Sequence, residues 1–404
     1  MSKSWLRSVS LCVLAGCGDD GASASASVSG DDDRGLRAGG GAPVEATDAG
    51  AVGGLEAPEP PEADAAPAPP VLPGDADDTP VTPADAGDAP PTPDAAVPPA
   101  VPDATVEPPP PGRDDPPPLP AYGGGVCPVF AGGPTLDASL VTGFPSGGDQ
   151  RSFRMIVPPN YDGSEPWPVM FAWHWLNASS SSFVNQGELE SAAEEMRFLI
   201  VVPDHLENAN GDKTYLLNWP FAEVWGAEKE LQFFDDLLAC VDANFNVDPR
   251  QIHGVGVSAG ALWLAHLTST SRADHLATAV SLSGGLGRDP FGVWDMMFTP
   301  QAHRFPAIVL WGGPTDNLVV VDFAAASTRL MDALIGNGHF VVSCTHDSGH
   351  AVPPIEAPPD GGTRFRFLWR FMAEHPYGTP AGTSPWQQAG LPPETPPWCE
   401  IATP

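Results

Sequence analysis

The sequence predicts an α/β fold in which a mostly parallel sheet is covered by helices on both faces, and three observations carry that prediction. From about residue 150 onward, apolar runs of strand length alternate with amphipathic segments of helical period, the pattern of repeated strand and helix units. A serine flanked by glycines stands where one strand passes into a helix, in "IHGVGVSAGALWLAHL" at residues 252–267. Downstream, an aspartate and a histidine each stand on a loop leaving a strand, at the end where open α/β sheets gather their chemistry.

In chain order, "PVMFAWH" reads as a buried strand, "GELESAAEEM" as a helix and "RFLIVVPDH" as the next strand. The long amphipathic "AEKELQFFDDLLACVDANF" then feeds a strand at 251–257 and an apolar helix at 259–267. Strands follow in "LATAVSLSGG", at 307–311 and at 339–344, with the helix "VDFAAASTRLMDALI" before the last. The tail "GTPAGTSPWQQAGLPPETPPWCEIATP" has no periodicity and is expected to wrap the surface.

At the joint, Gly256-Val257-Ser258-Ala259-Gly260 matches G-x-S-x-G with a strand before and a helix after, the context that projects a serine hydroxyl from a sharp turn. Side chains at 256 or 260 would collide with backbone there, and the helix N-terminus offers free N–H groups. A nucleophilic serine needs a base, and the base needs an acid to hold its tautomer. Asp316, in "LWGGPTDNLVV", and His350, in "SGHAVP", follow in the order serine, acid, histidine. Asp289 and Asp322 remain alternatives for the acid, although Asp322 also suits a helix N-cap. His346 is the alternative base, whereas His253 and His339 lie at strand starts, far from such a site.

The blocks "RMIVPPNYDGSEPWPVMFAWHW", "DPRQIHGVGVSAG", "ADHLATAVSLSGG", "LWGGPTDNLVV", "SGHAVP" and "FRFLWRFMAEHP" resemble the secreted polyhydroxybutyrate depolymerase and feruloyl/acetylxylan esterase family of α/β-hydrolases, over about residues 127–375. The resemblance implies an α/β-hydrolase fold and ester hydrolysis by Ser258, His350 and Asp316 without a cofactor or metal. It also implies an oxyanion hole pairing the N–H of Ala259 with one from Leu176 or Trp175. This chain departs from the family at Trp175, where glycine is usual, at Trp311 in the acid loop, and at Ala351-Val352, where the histidine loop lacks its tryptophan. Trp173 is expected to fill core. His174 and Trp175 are expected to line the substrate pocket, where an indole would stack on an aromatic acyl group. Two other functions stay open: a non-catalytic surface binding protein on the same scaffold, and a peptidase using the same triad.

The chain opens with Lys3, Arg7, a short apolar stretch and Leu14-Ala15-Gly16-Cys17, which resembles a bacterial lipoprotein signal whose cysteine receives diacylglycerol. Residues 1–16 are thus expected to be a signal peptide and 17–121 a disordered acidic Pro/Ala-rich tether, with 122–404 as the catalytic domain. Between 18 and 120 there are 21 acidic and three basic residues and almost no large apolar ones, too little to offset ordering entropy. The implied location is the bacterial cell envelope, lipid-anchored at the outer membrane or cell surface, with the catalytic domain extracytoplasmic. Of the net charge of −33, −17 falls on residues 121–404. Such acidity disfavours nucleic acid and suits a neutral ester or a polysaccharide-linked ester, and the family resemblance implies an ester of plant cell-wall or polyester origin. A monomer is expected.

With Cys12 removed and Cys17 lipidated, Cys127, Cys240, Cys344 and Cys399 remain, and an exported domain should pair them as two disulfides. Three pairings are possible. The one expected is Cys127 with Cys399, tying the ends, and Cys240 with Cys344. The spacings carry no zinc signature.

Overall fold

The computed structural model describes residues 115–403 apart from 131–134, 209, 222–225, 289–293, 319–320 and 381. The leader, Cys17, nearly all of the tether and Asp289 lie outside the described residues.

A nine-stranded sheet organises the chain. Its strands in sequence are β1 (Thr135–Ser146), β2 (Asp149–Val157), β3 (Trp167–Trp173), β4 (Leu199–Pro203), β5 (Val247–Val257), β6 (Thr278–Leu282), β7 (Ala307–Trp311), β10 (Val341–Thr345) and β11 (Cys399–Ile401), while β8 (Asn317–Leu318) and β9 (Val321–Asp322) form a separate ribbon. The spatial order is β1-β2-β4-β3-β5-β6-β7-β10-β11. The six strands from β4 to β10 run parallel, with antiparallel pairs at both edges. Every residue of β4, β6 and β7 is buried, which is why these strands read as continuous apolar runs rather than alternations.

Helices α3 (Ala227–Asn244), α4 (Ala259–Leu267) and α5 (Phe323–Gly336) pack on one face. Helices α1 (Ser180–Gln186), α2 (Leu189–Met196), α6 (Arg366–Glu374) and α7 (Pro385–Ala389) cover the other. The prediction of helices on both faces is met. Order along the sheet reverses at β3 and β5, since β3 leads outward to β4 while β5 starts the run toward β10. Beyond the C-terminal ends of strands that flank such a reversal is the place where open α/β sheets bind ligands.

Two expectations are corrected. The disulfides join Cys127 to Cys240 and Cys344 to Cys399, in place of Cys127 with Cys399 and Cys240 with Cys344. The tail is the reason: it returns as β11 to pair with β10, and the register sets Cys399 opposite Cys344. Cys127 belongs at the other side of the sheet, where Phe130 and Pro128 bond to Asn244 at the end of α3. The tail is therefore not a featureless wrap. It carries α7 and the edge strand β11.

A fully buried ion pair joins β2 to α3, Arg151 Nη2 lying 2.8 Å from Glu230 Oε2 with both side chains 1% exposed. The same guanidinium donates to the carbonyl of Asp204 and lies 3.9 Å over the ring of Phe233. Burial lifts the Glu230 carboxyl above its ordinary value, against the pull of Arg151.

Candidate active site

β5 ends at Val257 and α4 begins at Ala259, so one residue makes the whole reversal. Ser258 makes it at φ 54°, ψ −115°, a backbone region that costs a non-glycine residue about 1–3 kcal/mol. The glycines are required by contact. A Cβ on Gly256 would stand 2.4 Å from the carbonyl oxygen of Gly260, and one on Gly260 would stand 2.2 Å from that of Trp173. The second contact also shows that the first turn of α4 rests on the backbone at the end of β3.

Ser258 Oγ lies 2.9 Å from His350 Nε2, and His350 Nδ1 lies 2.6 Å from Asp316 Oδ1. The structure thus brings together the three residues picked from sequence. Asp316 is fully buried at the end of the short turn after β7. Its second oxygen accepts from the N–H of Gly312 and the hydroxyl of Ser283, both at 2.8 Å. Burial alone would raise this carboxyl; the bonds from His350, Gly312 and Ser283 outweigh it and hold the carboxyl below its ordinary value. Gly312 has a further task. A Cβ there would fall 1.8 Å from the oxygen of Gly349, so only glycine lets the acid loop and the histidine loop meet, and the N–H of Gly349 bonds the carbonyl of Gly312 across the seam. The imidazole of His350 stacks on Phe323 at 4.2 Å.

The alternatives fall elsewhere. Asp322 caps α5 by accepting from the N–H of Ala325. His346 is buried, takes the N–H of Ser348 on its Nδ1 and packs edge-on against Trp398. His253 and His339 are buried and bonded to Thr278 and to the carbonyl of Phe305.

After β3 the chain turns at Trp175–Ala178, closed by the N–H of Ala178 on the carbonyl of Trp175. Trp173 fills core at 2% exposure. Among the described residues, no bond takes the N–H of Trp175 or Leu176. His174 corrects an expectation: it is fully buried and does not line an open pocket, because its ring is engaged inside, Nδ1 with the carbonyl of Trp175 and Nε2 with His205. Burial pushes the His174 ring down to about 4. Trp175 is half-buried and leans edge-on against Phe183 of α1, 5.9 Å away. Leu176 packs toward the opposite face of the sheet.

Sequence reasoning passed over Ser283, Gly312, Phe323, His205, Asn218 and Trp219. Ser283 stands in "SLSGG" just past a strand, the one position in that group with a readable signal. Gly312 follows β7, Phe323 opens α5, and His205, Asn218 and Trp219 share the loop between β4 and α3.

This fold and its linked serine, histidine and aspartate define an α/β-hydrolase. In sequence the chain is 23% identical over 181 residues to feruloyl esterase D of Neurospora crassa, a match covering 41% of this chain and 54% of that protein. The chain therefore spans about half the length of that relative. No family model matches. Among solved structures, native pOPH superposes with a TM-score of 0.52 at 17% identity, covering 69% of this chain and 98% of that one. A pOPH variant in complex with DMSO gives 0.53 at 17%, covering 68% and 96%. The chain is thus similar in sequence to a feruloyl esterase over part of its length and similar in fold to pOPH.

Proposed function

We propose that this protein is a serine esterase acting on neutral carboxylic esters. The observation that carries the reading is the hydrogen-bonded series from Ser258 through His350 to the buried Asp316. In this reading His350 Nε2 takes the Ser258 proton as Oγ attacks the ester carbonyl, and returns it to the departing alcohol. Asp316 holds the tautomer with the proton on Nδ1 and stabilises the imidazolium. The developing oxyanion is met by the N–H of Ala259 and by that of Leu176 or Trp175. Water activated by His350 then releases the acid, and Ser258 is restored.

The name of the fungal relative supports an aromatic acyl group such as feruloyl, and the exposed rim of Trp175 offers a flat apolar surface for one. The leader and acidic segment support a lipid-anchored, extracytoplasmic enzyme held off the membrane by its tether. Among the described residues no helix is long and apolar enough to cross a membrane.

The test is hydrolysis of chromogenic acetyl, butyryl and feruloyl esters beside a peptide anilide. Ester turnover that disappears in Ser258→Ala is expected. Turnover confined to the anilide, or retained by Ser258→Ala, would overturn the proposal.

A further inference from the structure

One loop, between β4 and α3, braces the turn at 174–178 from within. Trp219 donates Nε1–H to the carbonyl of His174 at 2.8 Å, and Asn218 accepts the N–H of Asn177 on Oδ1 at 3.3 Å. His205 meets Nε2 of His174 through its own Nδ1, also at 3.3 Å. Trp219, Asn218 and His174 are fully buried, and the indole lies 4.9 Å from the imidazole of His174.

The hydrogen-bond roles follow from the partners. His174 Nδ1 faces the carbonyl of Trp175 at 2.8 Å, which only accepts, so Nδ1 carries the proton and Nε2 of the neutral ring is bare. His205 Nδ1 stands between that bare Nε2, at 3.3 Å, and the amide nitrogen of Asn218, at 3.2 Å, and can donate to the first or accept from the second but not both at once. The turn needs holding. Asn177 sits in the left-handed region at φ 60°, where a non-glycine residue stays only if its surroundings keep it there. Lys213 adds a fourth contact from the same loop, its Nζ on Asn177 Oδ1 at 2.8 Å.

We propose that His205, Asn218 and Trp219 are positioning residues for the esterase reaction: they draw the carbonyl of His174 and the N–H of Asn177 inward, leaving the N–H groups of Trp175 and Leu176 aimed at the oxyanion. The inference rests on the serine esterase reading above. The register supports it, because Trp173 pairs with Gly256 and the turn that follows β3 therefore runs beside the residues that follow β5, Ser258 and Ala259. None of the three touches the reacting atoms. Their removal should loosen a donor used in the transition state and leave ground-state binding nearly intact.

The experiment measures kcat and KM on p-nitrophenyl butyrate for the full chain and for Trp219→Phe, Asn218→Leu, His205→Phe and His205→Asn, with thermal unfolding of each. Losing an oxyanion donor outright costs about 100- to 1,000-fold in kcat, so loosening one should cost about 10- to 100-fold with KM within about twofold. His205→Asn, which keeps a polar atom near the Nδ1 position, should recover most of the loss seen in His205→Phe. Unchanged kcat in folded His205→Phe and Trp219→Phe would overturn the inference, as would a loss carried by KM or no recovery in His205→Asn. Trp219→Phe keeps its ring, so it decides the matter if His205→Phe fails to fold. Wild-type turnover abolished by Ser258→Ala, with all four variants at full kcat, leaves the esterase standing and removes this inference alone; an inactive wild type removes both.

Discussion

Ser258 is held in a backbone conformation that its own side chain disfavours, and the two glycines around it make the holding possible. Asp316 shows the same economy in another form: one buried carboxylate accepts from three donors, yet only His350 makes use of its charge in the proposed chemistry. Asp316→Asn keeps the shape and can still bond Ser283 and Gly312, but it leaves the ring of His350 free to choose the wrong tautomer. Turnover of an acetyl ester should fall about 10⁴-fold with thermal stability changed by little. Steady-state kinetics with an unfolding scan on the same sample checks both halves. At this scale Ser258, Asp316 and His350 were legible because chain order and post-strand placement follow from local sequence. His205 was not, since a histidine in a loop becomes informative only when its neighbours in space are known, and the position of Ser283 after a strand does not by itself name Asp316 as its partner.

At the scale of elements, the loop after β4 is anchored at Asp204 by β2 and by the start of α1. Arg151 on β2 reaches both Glu230 on α3 and the carbonyl of Asp204, while Asp204 accepts from Ser152 and from the N–H of Ser180 at the start of α1. Removing one partner of a fully buried pair strands the other charge. Glu230→Ala should cost about 3–5 kcal/mol, whereas replacing both residues by apolar ones of similar volume should cost far less. Urea unfolding of the single and double variants decides this; equal losses would mean that the pair matters for packing and not for charge. The strands and helices themselves were readable in large part, down to the limits of α4 and β7, because their apolar periods are strong. β1 was not. Its residues alternate weakly, and it exists as a strand because β2 offers an unpaired edge for it.

For the whole molecule, burial of histidines sets the acid limit. His174 and His339 are pushed down to about 4 and His253 to about 3, each chiefly by desolvation, against an unfolded value of about 6.5. The unfolded chain thus takes up these protons first as pH falls. Stability is complete above about pH 6.5 and is lost as pH drops toward 4, by something on the order of 1–2 kcal/mol for each of the three between pH 7 and pH 5. The depressed Asp316 acts in the same direction at lower pH, contributing above its unfolded value and losing that contribution as its carboxylate is protonated. Unfolding free energies at pH 5, 6 and 7 test this, and a flat profile would contradict it.

The amino-acid order alone determined the α/β class, the turn at Ser258 and the chain order of Ser258, Asp316 and His350 on loops leaving strands, since strand and helix periods and the G-x-S-x-G spacing are each local signals. Tertiary structure decided which cysteines meet, that His174 faces inward, and which loop supports the turn after β3. Each of these depends on elements far apart in the chain, and a linear pattern records periodicity along a strand or helix but not which strand lies beside it. Cys399 found Cys344 because the tail pairs with β10. No local signal near either cysteine could have carried that information.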